Sequence, residues 1–437
     1  GRRHSYPYDI LTDVMKSPLP LVLLLAAVVG RLDAQATQPS SQSTTIVPGA
    51  VTLTGTIVAE GTGRPIPFST VRLQPIGRER FTDQEGAFVY YAVAPGKYEL
   101  HIRQVGYLPE DTTFIVSANV PMNLVVTMNR IAAALDEVKV TAPPRLCLVP
   151  DEFGAVADSE LTLVLGEAKK NAEREQLLRH TYPFEYRIAQ THDTYDIDSK
   201  RHTLQYDTAE FRSDDSWRYR RGRVVSNDRS KLFGDVRLMR LPTLSDLADR
   251  SFLTNHCFKY AGVVDQDGAR THRIDFSPDS LLIAPDVEGS IFMDSATYKI
   301  RRAEFRLTKG GTVKPAILGM EVTTTYREIL PNVSLFDEIK STQPLGATKA
   351  GGSRTESRES QRLMSFRFLI ISPPGITGHK WIGVGSMIAD SLAGANSLKP
   401  GPQRSGPKQE PEAPRVPSPE PVPPILPGIP SHYLRPD

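Results

Sequence analysis

Over residues 51–128 apolar and polar residues alternate in short runs, at 51–58, 70–73, 87–91, 97–102, 113–116 and 123–128, and Gly, Pro, Asp or Asn punctuates them. Period-two alternation gives an extended chain one apolar and one polar face. Six or seven such runs within about 80 residues pair as an antiparallel sandwich. The turns narrow the choice further. In Thr82-Asp83-Gln84-Glu85-Gly86, Asp83 can accept bonds from the backbone ahead of it and Gly86 can take a positive φ. Ala94-Pro95-Gly96-Lys97 has Pro and Gly in the order a type II turn requires.

Taken together, Gly55-Thr56-Ile57, Gly63-Arg64-Pro65, Thr70-Val71-Arg72-Leu73, the stretch 82–88, Pro95-Gly96-Lys97-Tyr98 and Gly106-Tyr107 resemble the carboxypeptidase regulatory-like domain. The resemblance implies a transthyretin-like, carbohydrate-binding-like sandwich that is an accessory to other parts of a chain and carries no catalytic residues. It covers under a fifth of the sequence. Downstream, Leu135-Asp136-Glu137-Val138-Lys139-Val140-Thr141 is similar to the strand that joins such a module to the plug of TonB-dependent receptors. Fewer than 300 residues follow, too few for a large receptor barrel, so this segment reads as a linker strand.

The remainder has a different rhythm. Leu161, Leu163, Val164, Leu165, Ala168, Ala172, Leu177 and Leu178 recur at helical spacing with charged residues between them, and Asp158 or Ser159 can cap the start. This helix is expected to pack one apolar face on a sheet. Alternating runs then recur at 184–188, 203–206, 217–219, 256–264, 271–276, 289–294, 300–307, 320–326, 335–339 and 363–371, with Asp265-Gln266-Asp267-Gly268 as a hairpin turn. The pattern over 276–305 resembles envelope proteins with a lipoprotein-carrier half-barrel. Residues 346–361 are rich in Gly, Ser and charge and read as a loop. The chain has 36 prolines, and they crowd 397–437, where a packed core cannot form.

At the other end, Met15-Lys16 precedes an apolar run at 19–29 and then Ala34-Gln35-Ala36, the parts of a secretory signal peptide. The run is shorter than the roughly 20 residues of a membrane-spanning helix. Export brings the two cysteines, Cys147 and Cys257, into an oxidising compartment, where a bridge would close a loop of about 110 residues.

Few residues stand in patterns that perform chemistry. Lys and Arg number 52 against 50 Asp and Glu, so charge gives no reason to expect a nucleic-acid partner. No histidine begins a zinc-peptidase pattern, and His101, His180, His192, His202, His256, His272 and His379 read as scattered, solvent-facing residues. Gly383-Val384-Gly385-Ser386-Met387 lacks the last glycine of a serine-hydrolase elbow, and no phosphate-binding or dinucleotide fingerprint occurs. Asp193, Asp196, Asp198, Asp214 and Asp215 offer oxygens as exposed loops commonly do. Trp217, Tyr219 and Arg220, with Arg218 and Arg221 beside them, are the candidate ligand contacts, suited to stack a sugar or meet a phosphate-bearing lipid.

The expectation is therefore a mainly β chain: 1–36 an upstream extension and signal peptide, 37–49 a flexible leader, 50–128 a seven-stranded antiparallel β-sandwich, and 129–149 a linker strand. Residues 150–371 should form a larger curved antiparallel sheet with one packed helix, and 372–437 a disordered Pro-rich tail. No catalytic, cofactor-binding or metal-ligating residue is expected. The function expected is non-catalytic binding or structural work in the cell envelope, in the periplasm or on the outer-membrane surface, against glycan, lipid or another protein. Membrane association would be peripheral at most. A hydrolase carrying an accessory module and a truncated relative of TonB-dependent receptors are the alternatives.

Overall fold

The computed structural model describes residues 9–12, 48–131, 159–214, 217–230, 234–313, 316–317, 319–345, 355–376 and 380–384. The segment after Met15 expected to be a signal peptide, the stretch around Asp136 expected to be a linker strand, Cys147, Asp215, His379 and the prolines of 397–437 lie outside the described residues.

Strand β1 (Asp9–Thr12) comes first in the chain, followed by the sandwich: β2 (Val51–Ala59), β3 (Thr70–Gln74), β4 (Arg78–Phe81), β5 (Ala87–Val93), β6 (Gly96–Arg103), β7 (Glu110–Val116) and β8 (Met122–Met128). Its seven strands form two sheets, ordered β5-β2-β8 and β4-β3-β6-β7. Leu53, Ile57, Val71, Leu73, Leu100 and Ile102 close the core between them. The Asp83 turn forms as its residues dictate: Oδ1 accepts from the amides of Glu85 (3.0 Å) and Ala87 (2.7 Å). Gly86 has φ +70°, and a Cβ there would lie 2.7 Å from the carbonyl oxygen of Ile57. Two details differ from expectation. Gly96 has φ +157° and opens β6 instead of turning as type II. One pairing is parallel, β2 with β8, because the chain reaches β8 by crossing from the other sheet and not through a hairpin.

The helix α1 (Ser159–Thr181) leads into β9 (Phe184–Asp196) and β10 (Arg201–Arg212), then β11 (Val225–Ser230) and β12 (Gly234–Arg240), and α2 (Arg250–Asn255). An antiparallel run follows: β13 (His256–Gln266), β14 (Ala269–Pro278), β15 (Asp286–Asp294), β16 (Ile300–Thr308), β17 (Glu321–Leu330), β18 (Val333–Leu345), β19 (Thr355–Phe368) and the short β20 (Ile382–Gly383). The large sheet runs β10-β9-β19-β18-β17-β16-β15-β14-β13, with β20 on β19. The expected hairpin at Asp267-Gly268 is present, both residues having positive φ.

Several expectations are corrected. Residues 217–219 are not a strand but an extended loop, and β11 and β12, unforeseen, join β1 in a separate three-stranded sheet. β1 lies upstream of Met15, within the segment expected to be a mere extension. Residues 355–361 belong to β19, not to a loop. This strand is inserted between β9 and β18, so its backbone is paired on both sides while charged side chains such as Arg358 remain exposed. A second helix, α2, joins the single one expected. Residues 380–384, expected to be part of the tail, lie along β19, with the Trp381 ring beneath the guanidinium groups of Arg187 (3.9 Å) and Arg367 (4.8 Å).

The largest departure concerns α1. Val164, Leu165, Ala168, Ala172 and Leu178 are buried in the core with Tyr186, Phe336 and Phe366 of the sheet. Yet Glu167, Asn171, Arg174, Glu175 and Arg179 are buried too. The face that sequence patterning would give to solvent instead reaches the sandwich and the loops around it. Phe68 and Phe81, from the sandwich segment, belong to the α1 core, and Phe81 stacks on Tyr182 at 5.7 Å.

Candidate functional site

The polar side of α1 explains how the sandwich is held. Glu167 accepts from the Gly106 amide (2.8 Å), and Lys170 donates to Tyr107 O (2.6 Å) and to Glu167 (2.6 Å). Burial raises the Glu167 carboxyl, with Lys170 opposing the shift. Asn171 donates to Tyr298 O (2.9 Å) and accepts from the Ile300 amide (3.1 Å) on the sheet side. Arg174 donates to Asn332 O (2.7 Å), Gln104 Oε1 (2.6 Å) and Phe68 O, joining three parts of the chain in one guanidinium. A small cavity of about 130 Å³ remains beside this junction, bordered by Ile66, Gln104, Tyr107, Arg130, Lys299 and Asn332.

A larger pocket, about 240 Å³, opens at the C-terminal end of α1, between Gln176, Arg179 and His180 of the helix, Trp217 and Arg218 of the following loop, and the 3-10 turn Leu244–Ala248. Arg179 is held by Glu175 at 2.8 Å. Asp246 accepts from the amides of Tyr219 (2.9 Å) and Thr243 (2.7 Å), and burial pushes its carboxyl up to about 6. Burial, then Arg218 and Arg179, lowers the His180 imidazole. Such walls suit a small polar or charged group and cannot shelter an acyl chain.

The candidate contacts separate in space. Trp217, half-buried, lines this pocket, whereas Arg220 is exposed on the next turn of the loop. Tyr219 points inward: it is 3% exposed and its hydroxyl donates to Asp286 at 2.8 Å, so its ring cannot stack a ligand from solution. Alternation between these neighbours is all the sequence could show; the inward turn is set by the buried Asp286 carboxylate.

Two histidines expected at the surface are buried. His256 has Nδ1 at 2.9 Å from Phe252 O and Nε2 at 3.2 Å from Val287 O, with its ring stacked on Phe252. His272 has Nδ1 at 2.8 Å from the Tyr260 hydroxyl and stacks on Tyr298. Burial lowers both imidazoles. The folded state therefore binds fewer protons than the unfolded state below about pH 6.5, and the stability present above that value is lost as pH falls. Asp246 acts oppositely, since its folded carboxyl takes a proton from about pH 6 downward, before the unfolded one does. The urea midpoint is thus expected to fall between about pH 7.5 and 6, and to fall less in His272→Gln. An unchanged slope in that variant would contradict the assignment.

Among the described residues, one group of three could hold a cation: Glu99, His101 and Asp111. His101 Nδ1 is 2.7 Å from Asp111, and Arg72, directly across the sheet on β3, pairs with Glu79. This is a cross-strand row of exposed ion pairs. Asp193 pairs with His202, Asp196 caps its own turn and Asp214 pairs with Arg212, so the acidic residues noted in the sequence are spread along the β9–β10 hairpin and the loop after it. Cys257 lies half-buried on β13 opposite Ser277, and no free cysteine occurs among the described residues. No described helix is long and apolar enough to cross a membrane, which leaves β-barrels aside.

Among solved structures, the chain is similar to a type II cohesin–X-dockerin complex from Acetivibrio cellulolyticus, at 25% identity over 18% of this chain and 56% of that one, TM-score 0.16. It is similar to 5-hydroxyisourate hydrolase from Klebsiella pneumoniae, at 20% identity over 19% of this chain and 94% of that one, TM-score 0.14. It is also similar to a LolA superfamily protein from Nitrosomonas europaea, at 9% identity over 47% of this chain and 94% of that one, TM-score 0.24. No curated protein matches the sequence. The family model that matches is the carboxypeptidase regulatory-like domain, over residues 52–129, and with the seven strands and turns described above this stretch is a domain of that type.

Proposed function

We propose that this protein is an exported, non-catalytic component of the cell envelope that holds its carboxypeptidase regulatory-like domain fixed against a larger sheet and meets its partner at the surface. One observation carries the reading: α1 buries apolar side chains against the large sheet and polar side chains against the sandwich segment, so the face of the sheet under the helix is occupied by the protein's own side chains. Glycan, lipid headgroup or another envelope protein must then be recognised from outside.

Export is tested by fusing residues 1–60 to alkaline phosphatase. Activity is expected with the native segment and is expected to be lost when Leu23 and Leu24 are replaced by Arg. Non-reducing peptide mapping of the exported full chain should recover a Cys147–Cys257 bridge. Cytoplasmic retention of the fusion, or free thiols at both positions, would count against an envelope location.

A further inference from the structure

Between β14 and β15 the chain runs Asp279-Ser280-Leu281-Leu282-Ile283-Ala284-Pro285. Leu281 is 71% exposed and Ile283 80% exposed, although the loop that carries them is tightly held. Asp279 Oδ1 accepts from the Leu281 amide at 2.9 Å, and its carbonyl from the Leu282 amide at 3.1 Å. The Lys309 ammonium donates to Ser280 O at 3.0 Å and to Leu282 O.

Against this loop packs the turn Arg220-Arg221-Gly222-Arg223. The Arg223 amide donates to Arg220 O at 2.9 Å, and Gly222 has φ +64°. A Cβ at Gly222 would lie 2.9 Å from Ala284 Cβ and 3.5 Å from Leu282 Cδ1, so turn and loop touch directly. Arg221 is paired with Asp279, while Asp286, which anchors the turn through the Gly222 amide, is fully buried. What faces solvent is an apolar tip held by these hydrogen bonds, with Arg220, Arg221 and Arg223 exposed on the turn that touches it, Lys309 exposed beneath it, and Asp279 paired with Arg221.

We infer that this tip docks the protein on an anionic lipid surface, Leu281 and Ile283 entering the headgroup boundary and Arg220, Arg223 and Lys309 meeting the lipid phosphates. Side chains of this kind gain by leaving water for the interface, and each nearby cation adds attraction to anionic lipid. Two protruding apolar side chains beside exposed positive charge suit a fluid anionic surface, which closes around them without a preformed complementary shape. The inference rests on the envelope reading above.

The full chain is tested by flotation with phosphatidylethanolamine–phosphatidylglycerol vesicles against phosphatidylcholine vesicles. Because the apolar run at 19–29 is present in every variant, the differences between variants are what is read. Preference for the anionic vesicles is expected, weakened by salt. It should fall roughly tenfold or more in Arg220→Glu with Arg223→Glu, and comparably in Leu281→Asp with Ile283→Asp. The indole of Ile283→Trp should be quenched by brominated acyl chains. Equal binding to both vesicle types, wild-type binding by both double variants, or an unquenched indole would overturn the inference. So would residue-dependent binding to purified peptidoglycan or an envelope protein without vesicle binding. If the phosphatase fusion is exported and the vesicle result is negative, the envelope reading stands and the lipid inference alone falls.

Discussion

Arg174→Met is expected to cost about 3 kcal/mol of stability, lowering the melting temperature by roughly 8 °C. The guanidinium of Arg174 is buried on α1 and its partners are neutral: Asn332 O, Gln104 Oε1 and Phe68 O, with the Phe81 ring at 5.4 Å. The guanidinium is buried, and that burial pulls its pKa down to about 9. Methionine has a suitable volume and removes the buried charge, which is favourable. It also leaves three oxygens without their donor, and orphaned buried acceptors outweigh that gain. Because those oxygens belong to the sandwich segment, its neighbouring loop and the sheet turn after β17, the loss should appear as separated unfolding of sandwich and sheet. Arg174→Lys keeps the charge but cannot span all three acceptors, so an intermediate loss is expected. Arg103→Ala, which removes an exposed ion pair with Glu173 at 3.6 Å, should change stability by less than about 0.5 kcal/mol. A single, unshifted unfolding transition in Arg174→Met, followed by circular dichroism and calorimetry, would refute the interlock.

The second large effect is expected at Gly289. It stands on β15 directly between Phe276 of β14 and Phe305 of β16, whose rings meet at 5.9 Å. A Cβ there would lie 1.8 Å from the Glu304 carbonyl oxygen and 2.8 Å from its carbon. Those atoms are backbone of the neighbouring strand, so no side-chain rotation relieves the clash and the strands must part. Gly289→Ala should destabilise the protein by about 4 kcal/mol or prevent folded protein from accumulating, the upper end of what one substitution does. Gly166→Ala is the contrast, since nothing lies within 4 Å of a Cβ at that helical position and its φ is ordinary. It should be neutral or stabilise by up to about 1 kcal/mol. Paired denaturation curves compare the two directly, and equal behaviour would show that the close approach at Gly289 is not limiting.

Legibility in the sequence followed the range of the interactions. The Asp83 and Asp267 turns were readable because a short carboxylate and a glycine act on amides a few residues away. The strands of the larger sheet from β13 to β18 were readable for the same reason, as each has its own alternation and pairs with the next along the chain. The insertion of β19 beside β9 was not readable, since registers such as Gln361 against Gln190 join distant parts of the chain. Of the proposed contacts, Trp217 and Arg220 kept accessible positions, whereas Tyr219 was taken by Asp286, a partner with no trace in local spacing. His256 and His272 resembled surface strand residues until neighbouring elements covered them.

By itself the sequence determined a mainly β chain, a regulatory-like sandwich over its early strands and a helix before the larger sheet, because alternation, turn chemistry and helical spacing act within a few residues. Only the tertiary structure decided that both sides of that helix are buried, that Arg174 bolts the sandwich segment to the sheet, and that Leu281 and Ile283 stand beside an exposed basic turn. Those outcomes depend on which surfaces remain uncovered once distant segments pack, and burial is a property of the assembled fold that no local pattern encodes.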